Sequence, residues 1–380
     1  MVAHLIPASS LFAPENCARL VIKIGSALLV DQQGNIRRDW LEAMAGDIAE
    51  RRAAGQQVIL VSSGAIALGA RRLGLAKGGR ASLEDAQAAA AVGQIALSQQ
   101  WAELLEARGL IAAQILVTLD DLEDRRRYLN ASATLDRLLE LDVVPVINEN
   151  DSVATAEIRF GDNDRLAARI GQAARASGVV LLSDIDGLYT ANPKTDPDAK
   201  FVPIVSRIDA KIMAMADRGS GSGMGSGGMV SKLEAARIAT RAGINLAIIS
   251  GEHDEPLKRF KHSNIGTVFL ASKAGSARKT WLVGRLTVKG SATIDAGAMR
   301  ALERGSSLLP AGVTALTGRF ERGDLIDIID SHGEKIGQGL AEYDAQEAQL
   351  VMGKRSDTLA ELLGYAPRAA FVHRDHLVLI

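Results

Sequence analysis

Two lysines, several small hydroxyl residues and a knot of carboxylates and amides carry the chemistry this chain could do, and most of them follow a short apolar run. Lys23 lies in Val21-Ile-Lys-Ile-Gly-Ser26, where an unpaired ammonium is disfavoured. It reads either as a snorkelling lysine on an edge strand or as a cation at the carboxyl end of a strand, facing phosphate. In the second case Gly25 and Ser26 let backbone N–H groups approach the same oxygens. Leu60-Val-Ser-Ser-Gly-Ala65 repeats the arrangement, so Ser62 or Ser63 is either an N-cap or part of an anion-binding helix start. Residues 145–164 are the densest stretch: an apolar run over 143–147 ends in Asn148, Glu149, Asn150 and Asp151, and Gly161, Asp162, Asn163 and Asp164 then open a helix. Carboxylates and amides are costly to gather without partners. Acidic groups there suit a ligand that bears a cation, such as the ammonium of an amino acid. Ser183 and Asp184 close a further apolar run in Leu181-Leu-Ser-Asp-Ile-Asp-Gly-Leu-Tyr-Thr190, although acidic residues at a turn are usually structural.

The second lysine, Lys232, follows a glycine-rich segment over 219–228. Residues 223–228 match G-x-G-x-x-G formally, yet no strand precedes them and 213–218 reads as helical, so the pattern is weak evidence for a dinucleotide. No Walker A loop is present. The segment is either a plain loop or a glycine loop that delivers Lys232 to a helix N-terminus, which is good phosphate chemistry.

The elements that must position these groups alternate. Strands are expected over 20–24, 58–61, 113–117, 143–147, 179–182 and 245–249. Helices are expected over 39–53, 83–107, 132–141, 165–176 and 229–242. Such alternation implies an α/β fold with a mostly parallel sheet sandwiched by helices, and the apolar runs suit strands buried on both faces. In a doubly wound sheet the carboxyl ends share one edge. Lys23, Ser63, Asp151, Ser183 and the glycine segment then meet in one crevice, a combination that suits phosphoryl transfer, where catalysis is mostly positioning and charge stabilisation. The charge run at 120–127 reads as a solvated helix face. After residue 270 the texture changes, giving a first α/β unit over 18–271, a polar linker over 272–283 and a small β-rich domain over 284–380, with strands at 286–288, 313–317, 324–329 and 370–379 and a helix at 297–304.

Composition limits the alternatives. The 380 residues are 47% hydrophobic with a formal net charge of −1 and a pI near 6.6, so no global basic field draws the chain to nucleic acid or an anionic membrane. One cysteine, Cys17, excludes an internal disulfide and fits a reducing, cytoplasmic compartment. Six histidines show neither metal spacing nor a nucleophile–base pairing, and no side chains are assigned as metal ligands. Residues 1–16 lack the features of a signal peptide, and the apolar runs are too short to span a bilayer.

The motifs resemble the amino acid kinase family, in particular its glutamate-phosphorylating branch. The matching pieces are Val21-Ile-Lys-Ile-Gly-Ser, Val61-Ser-Ser-Gly-Ala-Ile, Asp124-Arg-Arg-Arg-Tyr-Leu-Asn130, Pro145-Val-Ile-Asn-Glu-Asn-Asp151, Phe160-Gly-Asp-Asn-Asp164, Asp186-Gly-Leu-Tyr-Thr190 and Gly225-Ser-Gly-Gly-Met-Val-Ser-Lys232. Leu302-Glu-Arg-Gly-Ser-Ser-Leu-Leu-Pro310 and Gly323-Asp324 are similar to a PUA domain, a fold that elsewhere binds RNA. Ser62 and Ser183 stand where the resemblance leads one to expect threonine, and residues 1–17 extend beyond its start with no assigned role.

The resemblance implies ATP-dependent phosphorylation of the γ-carboxylate of L-glutamate to L-glutamyl 5-phosphate, the first step of proline biosynthesis, with proline as an inhibitor. It implies Lys23, Lys232 and Asp164 as catalytic residues: the lysines neutralise the transferring phosphoryl group and Asp164 holds them. Ser63, Asp151 and Asn163 would bind glutamate. Lys23, Ser183, Asp184, Ser226, Gly227, Gly228, Met229, Val230, Ser231 and Lys232 would bind ATP, with Mg²⁺ bridging phosphate oxygens. A homo-oligomer (dimer or tetramer), coupling to glutamyl phosphate reductase and a subsidiary RNA contact by the C-terminal domain complete the expectation. Three alternatives stay open: a family kinase acting on N-acetylglutamate, aspartate or carbamate; an RNA-binding protein whose N-terminal domain senses a ligand; and a nicotinamide dehydrogenase.

Overall fold

The computed structural model describes residues 7–31, 35–153, 162–193, 195–217, 228–272, 287–365 and 367–379. Two compact units are formed, residues 1–273 and 274–380. The first runs β1 (Arg19–Ile24), α1 (Ser26–Leu29), α2 (Arg38–Ala53), β2 (Gln57–Ser62), α3 (Ala65–Leu73), α4 (Leu83–Glu106), β3 (Ala112–Val117), α5 (Leu119–Glu123), α6 (Arg125–Glu140), β4 (Val144–Glu149), α7 (Asp162–Ala173), β5 (Gly178–Ser183), β6 (Leu188–Tyr189), β7 (Phe201–Val202), β8 (Ile204–Val205), α8 (Ala210–Asp217), α9 (Met229–Arg241), β9 (Asn245–Ser250), α10 (Pro256–Ser263) and β10 (Thr267–Phe269). One eight-stranded sheet has the order β3-β4-β2-β1-β5-β9-β10-β8, and its pairs are parallel except β9 with β10. The expected sandwiched parallel sheet is therefore borne out.

Side chains alternate along a strand, and β1 uses that alternation to serve two layers. Leu20, Ile22 and Ile24 join the core formed with Trp40, Leu41 and Met44 of α2 and Leu97 and Trp101 of α4. Val21 and Lys23 face the opposite layer, where α7 packs on β1 and α9 packs on α7. Because β1 sits between β2 and β5, Lys23 lies on a central strand, which removes the edge-strand reading. β3 is the exception to burial on both faces: it is the sheet's edge, and Leu116 is 38% exposed.

Several boundaries differ from expectation. β4 carries on through Asn148 and Glu149, because β3 continues the ladder with Leu116 opposite Asn148 and Val117 opposite Glu149. The charge run at 120–127 is not one helix face. Thr118 and Asp121 form a capping box on α5, and Asp124 caps α6 by accepting from the Arg127 N–H, so the acidic residues are helix starts. Helix α6 accordingly begins at Arg125 rather than 132. The N-terminal residues from 7 onward are structural: Phe12 and Cys17 are fully buried, and the Arg51 and Gln56 side chains donate to the Phe12 carbonyl.

Close backbone approach sets the position of α3. A Cβ on Gly69 would lie 1.8 Å from the Ala89 carbonyl oxygen, and one on Gly93 would lie 1.8 Å from the Ala65 carbonyl oxygen. Only glycine allows α3 and α4 to touch in this way.

The second unit holds β11 (Gly290–Ile294), α11 (Ala296–Glu303), β12 (Val313–Gly318), β13 (Leu325–Ile329), β14 (Lys335–Leu340), α12 (Ala345–Val351), α13 (Leu359–Leu363) and β15 (Leu377–Leu379). Its five-stranded sheet has the order β12-β11-β13-β14-β15 and encloses its own apolar core around Ile326, Ile328, Tyr343 and Phe371. The first strand begins at Gly290, not at 286–288, and most of 370–379 is not strand. β14 and α12 were not anticipated. The interrupted glycines of β14 hide its period, since Cβ atoms at Gly337 and Gly339 would strike the Val378 carbonyl oxygen and the Val372 side chain.

Candidate active site

The parallel strands β4, β2, β1, β5 and β9 end along one edge of the sheet, with Glu149, Ser62, Ile24, Ser183 and Ser250 as their last residues. Lys23 stands one residue before the end of β1, opposite Val61 of β2 and Leu181 of β5. Its Nζ lies 2.7 Å from Asp164 Oδ1, and the Lys232 Nζ lies 3.1 Å from Asp164 Oδ2. Asp164 is in the first turn of α7 and Lys232 in the first turn of α9, so two helices meeting on one face of β1 bring both cations to one carboxylate. Asp164 is completely buried, and the lysines are 7% and 8% exposed. Burial pushes the Asp164 carboxyl up, but the Lys23 and Lys232 ammonium groups outweigh it and hold the group below the ordinary carboxylate range.

Two helix starts at this edge, those of α3 and α9, carry no side-chain cap. Gly64 caps α3 in the left-handed conformation, with φ 104°, and supplies no side-chain bond. Neither Ser62 nor Ser63 is therefore an N-cap. Gly228 caps α9, again with no side-chain bond. Ser62 instead accepts a hydrogen bond from the Trp101 indole at 3.0 Å and is fully buried, whereas Ser63 accepts one from Asn163 Nδ2 at 2.9 Å. Asn163 Nδ2 also donates to Asn148 Oδ1 at 3.2 Å, and Asn148 Nδ2 donates to Gln94 Oε1 at 2.8 Å. Asp151 is 9% exposed and acts on the Arg80 guanidinium, whose pKa partial burial lowers and the Asp151 charge pushes back up. At the end of β5, Ser183 donates to Asp184 Oδ1 at 3.0 Å, and Asp184 is exposed. Tyr189 donates to Asp186 at 3.1 Å.

The structure thus unites Lys23, Lys232 and Asp164, links Ser63 with Asn163, and sets Ser183 and Asp184 at the end of the strand beside β1. Gly228, Met229, Val230 and Ser231 form the start of α9, which has no side-chain cap, and the Ser231 N–H donates to the Gly228 carbonyl at 2.9 Å. Ser226, Gly227 and Gly161 lie outside the described residues, as does 273–283 of the expected linker. Sequence reading passed over Gln94, Trp101 and Arg80. They lie in or beside helical segments whose pattern reads as packing, and only the fold brings them to this edge. Among the described residues, no group of three or more His, Cys, Asp or Glu side chains is arranged to hold a metal ion, and no helix is long and apolar enough to cross a membrane.

Residues 18–250 match the amino acid kinase family, and residues 290–363 match the PUA domain. A protein of Zymomonas mobilis subsp. mobilis named Glutamate 5-kinase is 64% identical, over 98% of this chain and 94% of its own length. The protein of the same name from Sphingopyxis alaskensis is 66% identical, over 98% and 100%. That from Novosphingobium aromaticivorans is 61% identical, over 96% of both chains. With its crevice of converging lysines on a doubly covered parallel sheet, and a family match that spans most of its length, the chain belongs to the amino acid kinase family.

Proposed function

We propose that this protein transfers the γ-phosphoryl group of ATP to the γ-carboxylate of L-glutamate, releasing ADP and L-glutamyl 5-phosphate as the first step of proline biosynthesis. The observation that carries this reading is the convergence of Lys23 and Lys232 on Asp164. The names of the relatives support glutamate as the substrate. A γ-carboxylate is already ionised at pH 7, so the reaction needs no general base. Its barrier is repulsion between that carboxylate and the polyphosphate. Lys23 and Lys232 offset the charge that builds on the transferring group, and Asp164 keeps both aimed at it. The start of α9 from Gly228 to Ser231, with Ser226 and Gly227 before it, receives the phosphates at the positive end of the helix. Ser183 and Asp184 bind the remainder of the nucleotide.

On the acceptor side, Ser63, Asn163 and Asp151 hold glutamate, with Asp151 facing its ammonium. Mg²⁺ fits as an ion carried on the phosphates: the site has carboxylates such as exposed Asp184 to orient it but, among the described residues, no protein cage, and bound there it would neutralise phosphate charge. Residues 18–271 form the catalytic domain in this reading and 284–380 an appended PUA domain able to touch RNA. Feedback inhibition by proline, assembly as a dimer or tetramer, hand-over to glutamyl phosphate reductase and a cytoplasmic location belong to the same proposal.

A coupled ADP-release assay tests it on glutamate, aspartate, N-acetylglutamate and carbamate, each with and without proline. Turnover on glutamate alone, suppressed by proline, is expected. No ADP release with glutamate would refute the reaction.

A further inference from the structure

Resting on that reading of the crevice, we infer that Gln94 is a positioning residue that fixes the polarity of the Ser63–Asn163 pair, so that the site selects an acceptor carrying a free ammonium group. A backbone N–H can only donate. The Glu149 N–H donates to Asn148 Oδ1 at 2.9 Å, so the oxygen of that side chain is identified without ambiguity. Asn163 at 3.2 Å from the same oxygen must present Nδ2 to it. That nitrogen spends its other hydrogen on Ser63 Oγ at 2.9 Å. The Asn148 Nδ2 points the other way and needs an acceptor, which Gln94 Oε1 supplies at 2.8 Å.

The relay leaves two consequences at its far end. Asn163 Oδ1 is shielded from solvent and has no hydrogen-bond partner among the described residues. A buried acceptor of that kind is rare and costly, and an N–H donor on a ligand would satisfy it. Ser63, having accepted from Asn163, keeps its own O–H hydrogen to give to a carboxylate. An acceptor and a donor side by side are complementary to the ammonium and carboxylate of an α-amino acid. A deaminated analogue leaves Asn163 Oδ1 unpaired, and sites built on polar pairing reject such analogues strongly. Gln94 reaches this relay because it follows Gly93, whose missing side chain lets α4 touch the start of α3. Among the described residues only the oxygen of its side chain is used.

The test compares wild type, Gln94→Met and Gln94→Glu. Met keeps the volume but removes the acceptor, whereas Glu keeps an acceptor for Asn148 Nδ2. The readouts are the KM for glutamate and the inhibition constant of glutarate, which has both carboxylates and no ammonium. In Gln94→Met the glutamate KM should rise about tenfold, the weight of one buried polar partner, while glutarate inhibition stays within about twofold of wild type on the same scale. Gln94→Glu should keep the wild-type preference. An unchanged preference in Gln94→Met, or an equal weakening towards both ligands in the manner of general damage, would overturn the inference. If wild type makes no ADP from glutamate, the proposed reaction fails separately, and direct calorimetric titration of glutamate and glutarate into the same three proteins decides the role of Gln94. Wild-type protein that binds neither ligand, or both equally, refutes it.

Discussion

Asp164→Asn separates the charge of the central carboxylate from its shape. Asp164 is fully buried and bridges Lys23 at 2.7 Å and Lys232 at 3.1 Å. At about 3 Å and an effective dielectric near 20, each contact has a Coulomb attraction of about 5 kcal/mol before desolvation is counted. Desolvation offsets much of that gain, and removing one partner of a buried pair typically costs about 3–5 kcal/mol because an unpaired charge stays behind. In a domain of this size such a loss lowers Tm on the order of 10 °C. Calorimetric melting at pH 7 measures the drop. ATP brings replacement negative charge to the two ammonium groups, so it should raise the Tm of Asp164→Asn more than that of wild type, by linkage to binding.

Turnover should move the other way, with kcat falling about 10²-fold or more once the lysines lose their shared anchor. The pH dependence has a definite sign. The folded-state pKa of Asp164 is depressed, so its stabilisation is fully present above the ordinary carboxylate pKa of about 4 and is lost as pH falls through the lower folded value. The gap between wild type and Asp164→Asn should therefore narrow only in that acid range. A variant that melts within about 2 °C of wild type at pH 7 and turns over normally would refute the argument that both lysines depend on this charge.

Further outcomes follow from the same geometry. Lys23→Ala and Lys232→Ala should each lower kcat by about 10²–10³-fold in the ADP-release assay, and near-normal turnover in both would remove them from catalysis. Asp151→Ala should raise the glutamate KM by about tenfold or more with a smaller effect on the ATP KM; an unchanged glutamate KM would detach Asp151 from the acceptor. Gly69→Ala drives a Cβ to within 1.8 Å of the Ala89 carbonyl oxygen and should destabilise the first unit by about 1–3 kcal/mol, read by denaturant melting. Wild-type stability there would mean that α3 and α4 can part without cost.

Apolar runs located the six main strands, because all but β3 are buried on both faces and must be apolar throughout, and the long Ala/Leu-rich segments between them located the long helices. The helix start at 125 and the small edge strands were harder. Their limits depend on capping side chains and on which neighbour continues a ladder, as β3 does for Asn148 and Glu149. The smaller unit was the least legible, since its strands are short and broken by glycines that pack against backbone.

For the crevice, the types and spacing of Lys23, Asp164 and Lys232 were already enough to imply phosphoryl chemistry, because cations and carboxylates at strand ends have few other uses. What awaited the tertiary structure was their meeting: Asp164 and Lys232 are 68 residues apart in the chain, and α7 and α9 must pack on one face of β1 before a single carboxylate can hold both ammonium groups. The polarity of the Gln94–Asn148–Asn163–Ser63 relay was invisible beforehand for the same reason. A side-chain amide looks identical in either orientation along the chain, and only its neighbours in the fold, here the Glu149 N–H on one side and Gln94 Oε1 on the other, decide which end accepts.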